Sequence, residues 1–308
     1  MLDLTRLLPG GLATQLLADL GAEVIKVEEP KAGDYMRAAP PTLEGESYSF
    51  MLINQGKKSV ALNLKDRQGQ DILHRLVPTA DVIIEQFRPG VAEKLGIGYD
   101  QAKSLREDIV YCSLSGFGAT GPYRDRPGHD LNFQALAGLI DMSTTARQAI
   151  LPSMPTADIT SGVFTAYAVL AALLRRERTG LGSYLDIAIN DVVAHMNLLN
   201  FAEAFAGRDP HQGDTFVTGS LPFYNLYETA DGRRISLAAI EEKFWVRFCE
   251  VVGKDELKGK HFIIDGDGDV REELRELFAS KTLSEWEQLL RDEDVPYAPA
   301  LTVREATE

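Results

Sequence analysis

Along the first two thirds of the chain, apolar positions switch between helical and strand spacing. Gly11–Leu20 carries apolar residues at helical intervals and ends at Gly21; Glu23–Val27 follows with β-branched residues that predict a strand. The exchange recurs: Ser59–Leu64 reads as a strand, Asp66–Leu76 as a helix, Asp81–Glu85 as a strand, Val91–Leu95 as a short helix and Asp108–Ser113 as a strand. Such alternation predicts a mostly parallel sheet covered by helices. A strand expected ahead of the first helix barely shows in Met1–Arg6, and the chain is expected to begin late for this topology. Ile159–Arg178 forms a long helical pattern in which Val163, Ala166, Val169, Leu170 and Leu173 share a face expected to be core; a basic turn and Gly180 close it. After a strand at Tyr184–Ile189 and a helix to about Ala206, Gly207–Gly219 reads as a linker rich in Gly, Asp and Thr. Beyond it, Phe223–Glu228 and Arg234–Ala238 flank the hairpin signal Asp231-Gly232, and Glu242–Val252, Val270–Leu277 and Leu283–Leu290 read as helices. The expected organisation is a large α/β domain over residues 1–190, a linker over 191–220 and a small α+β domain over 221–308.

Size and composition narrow the class. The 308 residues, 44% hydrophobic and 25% charged, suffice for a sizeable core and exclude peptide hormones, disulfide mini-proteins and wholesale disorder. Acidic side chains number 46 against 32 basic, a formal charge of −14 that repels nucleic-acid phosphate and anionic lipid. Residues 241–308 hold 18 acids and 10 bases, so an anionic ligand is expected in the earlier part. Cys112 and Cys249 are too few for a disulfide framework or a zinc site and fit a reducing compartment. Met1–Arg6 lacks a basic segment leading into an apolar run, and Gly162–Leu174 is too short to span a bilayer. A cytoplasmic protein with no nucleic-acid or membrane partner is expected.

Two motifs suggest chemistry and fall short. Residues 116–121 spell G-x-G-x-x-G after a strand, but Pro122–Gly128 continues as loop where a dinucleotide site needs a helix. Asp265, Asp267, Asp269 and Glu276 have calcium-loop spacing, but Val270 stands where the sharp turn needs glycine. Asp269 as a helix cap, with Glu272 at the capping-box position, is the plainer reading. Two other segments differ from ordinary connectors: the Gly- and Pro-shaped loop Gly116–Asp130, which ends in His129 and Asp130, and Met154–Asp158 ahead of the long helix. The positive end of that helix favours an ionised Asp158, and a loop histidine titrates near neutrality, which makes the two a candidate acid/base pair. Asp158 as a plain N-cap and His129 as a satisfied loop residue are the alternatives.

The runs LPGGLATQLLADLGAEVIKVE (8–28), NQGKKSVALNLK (54–65), ADVIIEQFRPGVAEKLGIG (80–98) and SGFGATGPYRDRPGHDLNFQALAG (115–138) resemble the CaiB/BaiF family of CoA enzymes, the class III CoA-transferases. So do AYAVLAALLRRERTGLGSYLDIAIND and LPFYNLYETADG with its following AAIEEKF, and the motifs cover the chain in order. The resemblance implies a Rossmann-like large domain, a smaller domain and two chains interlocked as a homodimer. It also implies that coenzyme A enters as part of an acyl-CoA thioester, with no permanently bound cofactor and no metal. It places CoA contacts at Arg37, Leu62, Arg88, Lys94, Gly128 and Asp130. Glu29 departs from the pattern, standing where relatives often carry an arginine near the adenine, and Arg37 is expected to compensate. Relatives also continue past the segment matching Pro299–Glu308.

The family runs two reactions. In the transferase branch an aspartate, matched by Asp158, attacks the thioester and forms an acyl anhydride. Leu8 in place of a glutamine, and a single glycine in Thr218–Phe223, weigh against the formyl-CoA type. In the racemase branch, closest in motif, a histidine and the same aspartate stand on opposite faces of the α-carbon and a glutamate supports the histidine; His129, Asp158 and Glu241 match. Racemisation of 2-methylacyl-CoA through an enolate is the favoured expectation, with backbone N–H groups near Asp158 as donors to the enolate oxygen. Movement of CoA to a carboxylic acid is the alternative, and non-catalytic binding of acyl-CoA a second.

Overall fold

A computed structural model describes residues 1–144, 150–216, 218–262 and 268–308, the side chain of Asp269 excepted. The chain divides into two compact units, the first made of Met1–Ser143 and Ala149–Phe201, the second chiefly of Ala202–Glu308. In the first unit the strands β1 (Leu2–Leu4), β2 (Ile25–Glu28), β3 (Lys58–Ala61), β4 (Val82–Glu85), β5 (Val110–Ser115) and β6 (Ser183–Ala188) form one sheet in the order β3-β2-β1-β4-β5-β6. Every pair is parallel. This is the doubly wound order, and its switch point, between β1 and β4, opens a crevice at the carboxyl ends of the strands. The strand that the sequence barely signals is therefore the central one. Three residues suffice because Leu2 pairs with Ile25 on one side and Ile83 on the other, and Leu2 and Leu4 are buried.

Helices α1 (Leu7–Asp19), α2 (Arg67–Leu76), α3 (Val91–Lys94), α4 (Tyr99–Leu105), α5 (Asp130–Leu136), α6 (Thr156–Thr179) and α7 (Ile189–Met196) accompany the sheet, and α8 (Leu198–Phe205) starts in the first unit and ends in the second. Alternation along the strands sorts the two cores: Ile83 and Tyr111 pack with Leu73 of α2, while Val82, Ile84, Val110 and Cys112 pack with Leu17 of α1 and Val169 of α6. At 24 residues α6 extends past the apolar stretch Gly162–Leu174 and is by length and composition alone long and apolar enough to cross a bilayer, as core helices also can be. Its buried side is a stripe of small residues, among them Ala157, Ser161, Thr165 and Ala172, that lets α1 come close; a Cβ added at Gly162 would lie 2.7 Å from the Pro9 carbonyl oxygen. That stripe leaves Val163 and Leu170, expected in the core, exposed. The stretch expected as a linker, 191–220, is largely helical as far as Phe205, with Val192 and Val193 buried in the core of the first unit.

The second unit is a three-stranded antiparallel sheet of β7 (Tyr224–Glu228), β8 (Arg234–Ala238) and β9 (Tyr297–Pro299), with β8 in the middle. Helices α9 (Glu242–Val251), α10 (Gly268–Phe278) and α11 (Leu283–Leu290) pack with it through Trp245, Phe248, Phe278 and Trp286. Asp265 and Asp267 of the calcium-like spacing lie outside the described residues, as does the side chain of Asp269.

Between β1 and α1 the chain turns over a buried ionic cluster. Asp3 accepts the Thr5 N–H and hydroxyl at 2.9 and 2.6 Å and the Thr14 hydroxyl at 2.7 Å. Lys26 pairs with Asp34 at 3.0 Å and donates to the Thr5 carbonyl at 3.0 Å. Lys57, 3.5 Å from Asp3, donates to the Gly11 carbonyl and the Thr14 hydroxyl. Burial brings the Lys57 ammonium down to about 8 against the pull of Asp3. Asp34 also receives the Leu7 N–H at 3.0 Å, supplying the acceptor that the N-cap residue Arg6 lacks. Asp3→Ala would leave two buried ammonium groups facing one carboxylate; urea denaturation is expected to show a loss of about 3–5 kcal/mol.

Candidate active site

The carboxyl ends of β1, β4 and β5 open onto a groove of about 620 Å³ in the first unit. Arg6 and Leu7 line it from the β1–α1 turn and Gln86, Phe87, Arg88 and Pro89 from the end of β4. Arg124, Arg126, Gly128 and His129 line it from the loop after β5, and Asp158 from the first turn of α6. A slot of about 100 Å³ adjoins it, sharing Leu4, Arg6 and Phe87 and lined also by Leu62, Glu29 and Lys65.

The local sequence explains how the two central groups are presented. His129 is the N-cap of α5: its N–H donates to Asn132 Oδ1 at 3.0 Å and its carbonyl accepts the Asn132 N–H at 2.8 Å. The residue itself is exposed at the groove. Gly128 before it has no room for a side chain, since a Cβ would lie 2.8 Å from the Phe133 ring. No helix starts in residues 116–121; the next one is α5 at Asp130, as the loop reading of that segment requires.

Asp158 is the third residue of α6, whose N-cap is Pro155, so it is not a capping residue. Its N–H donates to Asp130 Oδ1 at 3.0 Å, and Asp130 Oδ2 accepts from Gln134 Nε2 at 2.5 Å. Burial first, and then the charge of Asp130, push the Asp158 carboxyl up to about 7. This corrects the expectation of a firmly ionised carboxylate. The helix end offers about 0.3–1 kcal/mol, less than burial and a like charge together withdraw. The Asp158 N–H is likewise committed to Asp130 and is no free donor for an enolate oxygen.

Of the remaining residues singled out from sequence, Arg88 and Gly128 line the groove and Leu62 the adjoining slot. Arg37 lines neither. Its guanidinium donates to both Glu28 carboxylate oxygens, at 2.8 and 2.7 Å, and lies 4.0 Å over the Phe50 ring. Although burial alone would raise it, Glu28 is held down to about 2 by bonds from Arg37, Ser59 and the Asp34 N–H. Arg37 is therefore not a loose charge that replaces an arginine at Glu29. Lys94 is exposed at the end of α3, outside both linings, and both oxygens of Asp130 are engaged within the protein. Glu241 belongs to the second unit, where it is the exposed N-cap of α9 and its carbonyl accepts the Phe244 and Trp245 N–H groups. Sequence reasoning passed over Arg6, Gln86, Arg124 and Arg126 as site residues. Arg6 and Gln86 follow β1 and β4, the two strands of the switch point, which could not be located from sequence because β1 is barely signalled.

Residues 1–308 match the family described as CoA-transferase family III. Succinyl-CoA:glutarate CoA-transferase of Mus musculus is 33% identical over 99% of this chain and 72% of its own length. Alpha-methylacyl-CoA racemase of Homo sapiens is 31% identical over 99% of this chain and 77% of its own. Among solved structures, Rv3272 of Mycobacterium tuberculosis superposes with a TM-score of 0.87 at 33% identity, covering 100% of this chain and 84% of that one. A CAIB/BAIF family protein from Brucella suis gives 0.84 at 28% identity, with coverage of 99% and 84%.

The raised Asp158 carboxyl has a sign that can be measured. An unfolded aspartate releases its proton near pH 3.9, whereas the folded one keeps it to about 7. Stability is therefore lost as pH rises through that window. Asp158→Asn is expected to melt higher than the parent at pH 8 and to show little difference at pH 4; an equal shift at both values would contradict the assignment.

Proposed function

We propose, from the premise that the chain belongs to CoA-transferase family III, that it inverts the α-carbon of a 2-methylacyl-CoA thioester by 1,1-proton transfer. The observation that carries this reading is that His129 and Asp158 line one groove and that the Asp158 carboxyl titrates near neutrality. The thioester carbonyl acidifies the α-proton; one group removes it, charge passes to the carbonyl oxygen as an enolate, and the other group delivers a proton to the opposite face. A carboxyl near 7 holds or releases a proton at comparable cost at physiological pH, which suits a group that must do both. Arg6, Arg88, Arg124 and Arg126 bring positive charge to the groove for the CoA phosphates. Coenzyme A enters as part of the substrate rather than as a resident group.

A second copy of the chain belongs to the same reading. Val163, Tyr167, Leu170 and Leu174 recur at helical spacing along α6 and are exposed, an apolar stripe of the kind that an interface covers. Two reduced, buried cysteines fit a cytoplasmic setting.

CoA transfer is the second reading, favoured by the transferase named among the relatives, with Asp158 as the nucleophile. For it, the raised carboxyl is a handicap, because only the ionised form attacks.

In deuterated water, a 2-methylacyl-CoA is expected to exchange its α-hydrogen and lose optical purity with no second acid present. Retention of both, with hydroxylamine trapping an acyl group on Asp158, would give the reaction to the transferase. His129→Ala is expected to reduce exchange by about 10²–10⁴-fold. Light scattering is expected to return twice the 33.9 kDa chain mass.

A further inference from the structure

We propose that Asp130 is a positioning residue for Asp158 and not a ligand of CoA: its carboxylate ties the first turn of α6 to α5 and sets its own negative charge beside Asp158. The inference rests on Asp158 as the reacting group. Asp130 Oδ1 accepts the Asp158 N–H at 3.0 Å and Oδ2 accepts the Gln134 amide at 2.5 Å, while Gln134, one turn further along α5, is 2% exposed. With both oxygens engaged from inside the protein, the carboxylate is fixed in place. A bond from an N–H to an ionised acceptor is stronger than one between neutral groups, so the link also fixes where α6 begins.

Because α5 starts at Asp130, one residue after His129, the same contact sets the two groove-lining groups relative to each other. The electrostatic consequence follows from sign. The other charged or titratable groups lining the groove are His129, Tyr35, Arg6, Arg88, Arg124 and Arg126. Any positive charge among them favours an ionised Asp158. Asp130 is the neighbouring charge that opposes ionisation, acting together with burial.

Carbon-13 NMR titration of aspartate carboxyls in the full chain tests this without turnover, the Asp158 signal being assigned by its loss in Asp158→Asn. Asp130→Asn and Asp130→Ser keep an acceptor for the Asp158 N–H and remove the charge; both are expected to lower the midpoint of Asp158 by about one pH unit, tenfold in proton affinity. Asp130→Glu keeps the charge and is expected to leave the midpoint near that of the parent while lowering kcat through misplacement. An unchanged midpoint in both neutral variants overturns the proposal, as does a tenfold rise in KM for acyl-CoA with the midpoint unmoved, which would make Asp130 a CoA ligand. Since the titration needs no substrate, its result stands apart from whether the reaction is racemisation.

Discussion

Asp3, Lys26, Asp34 and Lys57, withdrawn from water beneath the turn between β1 and α1, hold the corner on which the groove is built. Charges buried in this way gain little net stability over apolar substitutes, but each demands its partner, so the arrangement selects one path for the backbone. That path carries Leu7 through a φ of 61° with its N–H on Asp34, and it sets Arg6 at the groove wall. The following turn of α1 then lies directly on the cluster: a Cβ at Gly10 would fall 2.3 Å from that of Thr5. From there the placement passes to α6, which meets α1 at Gly162 against Pro9, one turn beyond Asp158.

Three influences compete at Asp158. The helix end favours the carboxylate, burial disfavours it, and the fixed charge of Asp130 disfavours it further. The last two prevail because they act in surroundings from which water is mostly excluded, whereas the pull of the first turn is small in any setting. Glu28 shows the opposite balance: burial alone would raise it too, but a bidentate guanidinium and two further donors overcome the penalty. The same physics thus produces one carboxyl suited to exchanging protons and one suited to holding a structural cation.

Periodicity was enough for elements whose one face is buried along their length. The helix near 67–76 and the hairpin around Asp231-Gly232 were legible because burial and alternation coincide there, whereas the strands near residues 82–85 and 110–115, buried on both faces, were legible as short runs rich in apolar and β-branched residues. It was insufficient where an element is short or its buried side is made of small residues. β1 offers only Leu2 and Leu4 as apolar signal, and in α6 the larger apolar side chains Val163 and Leu170 point outward while alanines, serine and threonine face the core.

The local pattern of residues by itself determined that the chain builds an α/β unit followed by a smaller α+β one and that His129 and Asp158 are its chemical candidates, while its place among CoA enzymes was legible only through the resemblance of its motifs to a known family. The protonation of Asp158, the commitment of Arg37 to Glu28 and of Asp130 to the start of α6, and the presence of Arg6 and Gln86 at the groove were decided only by tertiary structure. Each of these depends on which groups distant in the chain are brought together in space. A carboxylate reads the same in a sequence whether its neighbour in space is a guanidinium or another carboxylate.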